Sequence, residues 1–304
     1  MTSKKVLGIG LLITLLIISG CAKTTDKELS LEDLNIGGKG LEISLLKNSP
    51  PDQVWIDTNF KVDLELKNKG LKRIDDGIVA VSACENVEFV EAKKRVMVKE
   101  SISLKPKSRF NPEGDITYID FEVDPKSEDL ECLFHIEACY KYETYADPDV
   151  CIDADVYNLK TSKVCQVKDE IKLKKQAAPV VVDKIEESIL VLDESLKVRF
   201  KIFIKNIGGG EIINLEEYDK MCRADEFEPN IINQVRIAAK LSNQDIKCSP
   251  DKLFLSDNER ANYFMCTASE VEKPIDAYVA PLSITLSYGY VKTIYKIIEV
   301  KDFE

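Results

Sequence analysis

Histidine is almost missing from this chain: His135 is the only one among 304 residues. That excludes histidine-pair metal motifs, and a serine–histidine–acid site would have to use His135 itself. His135 sits between Phe134 and Ile136 in an alternating stretch and reads as a structural or exposed residue. There is no Gly-x-Ser-x-Gly elbow and no Cys-x-x-Cys pair to frame a zinc ion. Gly208-Gly209-Gly210 lacks the Lys-Ser/Thr ending and following helix of a phosphate loop and reads as a flexible turn. No Asn-x-Ser/Thr acceptor with an allowed middle residue occurs. Basic charge is in deficit, with 42 Lys and Arg against 53 Asp and Glu and a net charge of −11. Such a surface repels nucleic acid and anionic headgroups and favours solubility. Carboxylates are so abundant that no pair of them stands out as a hydrolase dyad. Long helical periodicity is scarce, with Leu215–Ala224 the one candidate for a short helix.

What is present begins at the N-terminus. Lys4 and Lys5 precede Val6–Gly20, a run without charge that ends in Ser19-Gly20-Cys21. A basic start, a short apolar run and small residues describe a secretory signal peptide. The cysteine after Ser-Gly resembles the lipobox of prokaryotic lipoproteins, where the thiol is lipidated and the chain is cut before it. The resemblance implies a signal peptide at 1–20, a lipid on Cys21 that holds the protein to the membrane, and an extracytoplasmic location. The alternative is an uncleaved anchor, which needs about 17–20 apolar residues; Val6–Ala22 barely reaches that length. Residues 21–40 are polar and glycine-containing and read as a flexible tether.

Beyond the tether, period-two alternation dominates, and this is the strand signal. Val62, Leu64 and Leu66 alternate with Asp63, Glu65 and Lys67, and the segment ends Lys67-Asn68-Lys69-Gly70. The same pattern recurs at an offset of 138, where Phe200, Ile202 and Ile204 lead into Lys205-Asn206-Ile207-Gly208. Phe134-x-Ile136-x-Ala138-x-Tyr140-x-Tyr142 recurs at an offset of 148 as Leu282-x-Ile284-x-Leu286-x-Tyr288-x-Tyr290. Two strand motifs repeated in order imply a duplicated β-domain. The expected division is 41–173 for the first unit, 174–179 for a linker containing Pro179, and 180–304 for the second. Units of this size, made of short strands and turns, suit antiparallel sandwiches, with a barrel as the other possibility.

Eight cysteines follow Cys21: Cys84, Cys132, Cys139, Cys151, Cys165, Cys222, Cys248 and Cys266. An even number in an exported chain points to disulfides, whose connectivity spacing does not reveal. Five lie in the first unit and three in the second. Either one bridge crosses between units or each unit keeps a free thiol. The one pairing singled out is Cys248 with Cys266, which would tie two neighbouring strands.

The strand ending Lys-Asn-x-Gly resembles the second strand of cell-adhesion-related bacterial immunoglobulin-like domains, with Asn68, Gly70, Asn206 and Gly208 at the matching positions. The whole chain is similar to cysteine-containing surface proteins of archaea, in which a cysteine-rich excursion such as Cys139–Cys165 precedes an Ala-Pro linker. The antibody-type cysteine–tryptophan–cysteine core is absent, because Trp55 precedes the first repeated strand. The resemblance implies an all-β chain of two tandem immunoglobulin-like antiparallel β-sandwiches. It also implies a binding, adhesion or spacer role, without a catalytic residue or cofactor.

The expected function is thus a membrane-anchored module that binds a surface protein or polysaccharide. The alternatives are a spacer or subunit of a cell-envelope complex, and a substrate-binding or hydrolytic lipoprotein. Tyr140, Tyr142, Tyr145 and Tyr157 surround the cysteine-rich excursion and are candidates for a recognition surface, because tyrosine buries area at low entropic cost; packing inside the sandwich is the other role open to them. Asp147, Asp149, Asp153 and Asp155 are a candidate calcium cluster. The competing reading of that segment is a solvated loop tied down by Cys151.

Overall fold

The computed structural model describes residues 40–174, 176–223, 233–256 and 261–302. The signal peptide, Cys21 and the tether up to Lys39 lie outside the described residues. Alternation becomes strand almost everywhere, so the chain is all-β. In β3 (Phe60–Asn68), Val62, Leu64 and Leu66 are fully buried while Lys61, Asp63 and Glu65 face outward. Each such apolar side chain contributes roughly 1.5–3 kcal/mol.

In the first half, β1 (Leu41–Leu45), β3, β7 (Ile116–Pro125) and β5 (Val87–Phe89) form one sheet in that order. The facing sheet contains β6 (Val96–Leu104), β4 (Ile74–Ser82) and β8 (Asp129–Ala146). Phe60 of β3 packs edge-on against Phe134 of β8, at 6.1 Å between centroids. In the second half, β10 (Ile171–Lys172), β11 (Val180–Val191), β12 (Ser195–Asn206) and β17 (Tyr263–Glu272) lie side by side. β15 (Gln244–Ser249) pairs with β17 through Lys247–Ser249 and with β14 (Gln234–Leu241) through Gln244–Ile246, so it carries the sheet round a corner. β16 (Lys252–Phe254) also pairs with β14, and β14 pairs with β18 (Tyr278–Lys301).

The repeated late strands are each other's partners. β8 runs antiparallel to β18, with Tyr140 opposite Tyr290, Lys141 opposite Gly289 and Tyr142 opposite Tyr288. The offset of 148 maps Lys141 onto Gly289, so a pseudo-twofold axis passes between them. β9 (Asp149–Ile152) prolongs the ladder along Tyr278–Pro281. At the other end, Glu299–Lys301 of β18 pairs with β2 (Gln53–Trp55). The result is a long spine of two strands shared by both halves.

The two halves share one core. The boundaries at 173 and 180 divide the sequence but not the core: one buried cluster contains Val62 and Phe134 together with Phe200 and Leu286. The expected linker is not an exposed spacer. Ala177 and Ala178 are buried, and the Tyr142 hydroxyl donates to the Ala177 carbonyl at 3.1 Å. Small side chains let the backbone pass beneath the ring.

β13 (Glu211–Ile213) lies beside Gly289–Val291 of β18, and β14 continues beside Leu282–Ser287. They are one strand interrupted by an excursion that carries α1 (Tyr218–Arg223), within the segment expected to be helical. α1 crosses the seam. Cys222 is bonded to Cys139, the Tyr218 hydroxyl donates to the Asp76 carbonyl at 3.0 Å, and Arg223 pairs with Glu100 at 3.0 Å. The odd cysteine counts are therefore reconciled by a bridge between units. The other bridges are Cys84–Cys132, Cys151–Cys165 and Cys248–Cys266, the last between directly opposed residues of β15 and β17.

Candidate functional site

Two of the four tyrosines proposed as a recognition surface are buried in the seam. Tyr140 and Tyr142 share the inward parity of Phe134, Ile136 and Ala138, and the antiparallel pairing brings Tyr288 and Tyr290 against them. Ring centroids around this quartet are 5.8–6.2 Å apart. Their hydroxyls are satisfied in equivalent ways. The Leu41 and Val180 amides donate to Tyr140 and Tyr288, each at 3.2 Å. The Lys72 and Gly210 amides donate to Tyr142 and Tyr290, at 3.3 and 2.9 Å. Burial pushes the Tyr142 and Tyr290 phenols up to about 12, so they remain protonated.

The two Asn-x-Gly motifs fold onto this quartet. The Asn68 side chain accepts from the Gly70 amide at 3.0 Å and donates to the Lys72 carbonyl at 2.9 Å; Asn206 does the same with Gly208 and Gly210, at 3.1 and 2.8 Å. A Cβ on Gly70 would lie 1.8 Å from the Tyr142 hydroxyl, and one on Gly208 would lie 2.2 Å from that of Tyr290. The absent side chain at each glycine is what lets the tyrosine close the corner.

On the aspartate loop a lysine stands where the calcium candidate would place a cation. Asp147 and Asp149 are exposed, whereas Asp153 and Asp155 converge on a lysine. The Lys163 ammonium donates to Asp153 Oδ2 at 2.7 Å, to the Asp155 carbonyl at 2.9 Å and to Asn158 Oδ1 at 3.0 Å. It also lies 2.9 Å from Asp155 Oδ2. A cation is thus supplied by the chain itself. Among the described residues, no three His, Cys, Asp or Glu side chains are grouped to hold a metal. The Asp155 carboxylate accepts from the Lys160 and Leu159 amides at 2.8 and 3.0 Å. These amides, then Lys163, hold its carboxyl down to about 2. Burial acts against the charge on Lys163, but the two carboxylates outweigh it and raise its pKa.

The clamp shapes the end of the molecule. It folds residues 154–165 into a loop closed by Cys151–Cys165 and joined to the β17–β18 turn by Lys160, which donates to the Ile275 carbonyl at 2.6 Å and to Asp276 at 2.7 Å. Tyr157, Leu159 and Val164 of this loop are 83%, 81% and 80% exposed, and Ile275 of the adjoining turn is 90% exposed. Lys160 joins the two turns that carry these side chains, and exposed apolar groups gathered at one place mark interaction sites. Of the sequence candidates only Tyr157 belongs to this tip. Tyr145 is half-exposed elsewhere, hydrogen-bonded to Lys72 and Glu143. Lys163→Met should leave Asp153 and Asp155 facing each other unneutralised and loosen the loop. Chymotryptic cleavage at Tyr157 and Leu159 should then accelerate while the unfolding midpoint of the sandwiches changes little. Unchanged cleavage would show that the clamp does not brace the tip.

Other surfaces are less developed. A groove of about 500 Å³ on the outer face of β11 and β12 includes Lys184, Glu186, Lys201 and Phe203. Lys184 pairs with Glu186 at 2.9 Å, Lys201 with the same carboxylate at 3.6 Å, and both ammoniums lie 4.6 Å from the Phe203 centroid. These side chains satisfy one another. His135 stacks on Tyr295 at 4.9 Å and has Nε2 3.4 Å from Glu137.

One titratable group was missed altogether. Glu187 of β11 is 8% exposed, and neither carboxylate oxygen has a hydrogen-bond partner in the described structure. Burial pushes its carboxyl up to about 7, with the Cys151 backbone acting in the opposite direction.

No protein-family model matches the chain, and no curated protein does. Among solved structures, a DUF4466 family protein from Parabacteroides merdae aligns over 82% of this chain and 99% of its own, at 9% identity and a TM-score of 0.22. The serine-rich repeat adhesion glycoprotein Srr1 from Streptococcus agalactiae aligns over 88% and 94%, at 9% identity and a TM-score of 0.19. The CupB6 tip adhesin from Pseudomonas aeruginosa aligns over 87% and 97%, also at 9% identity and 0.19. At such TM-scores these likenesses carry no argument about what this chain does.

Proposed function

We propose that this protein is an extracytoplasmic binding module without catalysis, held to the membrane by a lipid on Cys21 and built from a duplicated immunoglobulin-like unit. The observation that carries the reading is the braced tip. A disulfide, a buried ion-pair cluster and a lysine strut fix a loop whose outward side chains are apolar. Holding apolar groups rigid in water has a cost, and contact with a partner would recover it. Four disulfides accord with an oxidising compartment. Among the described residues no helix is long and apolar enough to cross a membrane.

Mass spectrometry of the mature N-terminus tests the anchor. The expected species begins at Cys21 and carries a diacylglyceryl group; an unmodified Met1 or a free Cys21 thiol would overturn it. Substituting Tyr157, Leu159 and Val164 by serine should abolish association of the tip with its partner while preserving the far-ultraviolet spectrum of the fold. A spacer role within an envelope complex is the second reading, and it draws on the continuous spine.

A further inference from the structure

The shape of the tip is that of a probe. Tyr157, Leu159, Val164 and Ile275 stand out from two adjacent turns with at least four-fifths of each side chain in water. We infer that this tip docks on the surface of the bilayer that carries the Cys21 lipid, with the apolar side chains entering the interfacial layer. This rests on the anchored reading above. A bilayer accepts protruding apolar groups without requiring a matching socket, and tyrosine favours the interface.

Charge permits the contact at this end. The chain as a whole is at −11, yet Val156–Lys168 contains no Asp or Glu and three lysines. The neighbouring Asp153 and Asp155 are turned inward onto Lys163, with side-chain exposures of 5% and 15%. Lys160 balances the exposed Asp276 of the adjoining turn, and the exposed Lys168 can extend its stem toward headgroups.

Reach permits it as well. The described chain begins at Gly40, which packs against Tyr140 and Pro179 at the middle of the spine. Between Tyr278, opposite Ile152, and Gly289, opposite Lys141, β18 advances roughly 36 Å. The stretch from Cys21 to Gly40 spans 19 residues and extends to roughly 65 Å at most. Lipid and tip can therefore occupy one bilayer together, and the lipid raises the effective concentration of that bilayer at the tip. The bracing means that little order remains to be imposed on contact.

The test uses the full-length lipidated protein in phosphatidylcholine vesicles with brominated acyl chains. The native protein has one tryptophan, Trp55. It pairs with Lys301 at the end of the spine opposite the tip, roughly 75 Å away, and serves as the control. In a Trp55→Phe/Tyr157→Trp variant, emission should shift to the blue and be quenched by bromine, whereas Trp55 emission in the native protein should not be. Adding Leu159→Ser and Val164→Ser should reverse the quenching. A variant that floats with vesicles yet stays unquenched would overturn the inference, leave the anchor intact and assign the tip to a protein partner. Failure to float at all would overturn the anchored reading, and this inference with it.

Discussion

Replacing Glu187 by leucine should raise stability at pH 8 by about 3 kcal/mol. Glu187 faces the core from β11 with both oxygens unpartnered, and burial lifts its carboxyl from 4.5 to about 7. Because the folded-state value is raised, the unfolded chain releases this proton first as pH increases. Below pH 4.5 both states are protonated and the ionisation penalty is absent. Between pH 4.5 and about 7 the folded state binds more protons, so stability falls as pH rises; above that window the loss is complete. The difference of about 2.5 units, at about 1.4 kcal/mol each, sets the size of the effect. Urea unfolding of both proteins from pH 4 to pH 8 checks it. The gap between variant and parent should widen across that window and then level off. A constant gap would mean that Glu187 finds a partner and ionises normally.

Gly70→Ala should destabilise the fold by about 3 kcal/mol, at the upper end of overpacking. The new methyl would lie 1.8 Å from the Tyr142 hydroxyl and 3.0 Å from the Ala177 carbonyl. Tyr142 has little room to retreat, because its ring is enclosed by Tyr140 and Tyr288. Gly208→Ala should incur a comparable penalty through Tyr290, since the pseudo-twofold repeats the same contact. Tyr142→Phe is the diagnostic partner. Alone it destabilises by leaving the Lys72 amide and the Ala177 carbonyl without the hydroxyl. In the Gly70→Ala background it removes the closest clash, so the double variant should be more stable than the sum of the single effects predicts, by about 1 kcal/mol or more. Strict additivity in denaturant unfolding would show that the corner relaxes by another route.

Strand positions and duplication were legible because burial follows parity. Val62, Leu64 and Leu66, and their counterparts Phe200, Ile202 and Ile204, face the core as the alternation requires. Tyr140 and Tyr142 continued the same parity in sequence, so their burial was readable there, in keeping with packing inside the sandwich. That the two late strands pair with each other was not readable, because a repeat states likeness and not adjacency. Glu187 escaped for a local reason. The ladder of β11 slips between Val182 and Lys184, and this bulge inverts the parity downstream, turning an apparently outward glutamate inward. The ion pairing of the aspartate loop was not readable, because its counter-charge, Lys163, arrives through the closed Cys151–Cys165 loop. The tip was hidden because Ile275 joins it from more than a hundred residues away.

The spine also dictates an order of events during synthesis and export. The first half cannot complete its sheet on its own, because β8 and β2 both wait for β18, which emerges more than a hundred residues after β8. Until then β8 presents an open edge, the kind of surface that recruits stray strands. Only a chain that has reached β18 buries that edge. A polypeptide ended before β18 would keep it exposed.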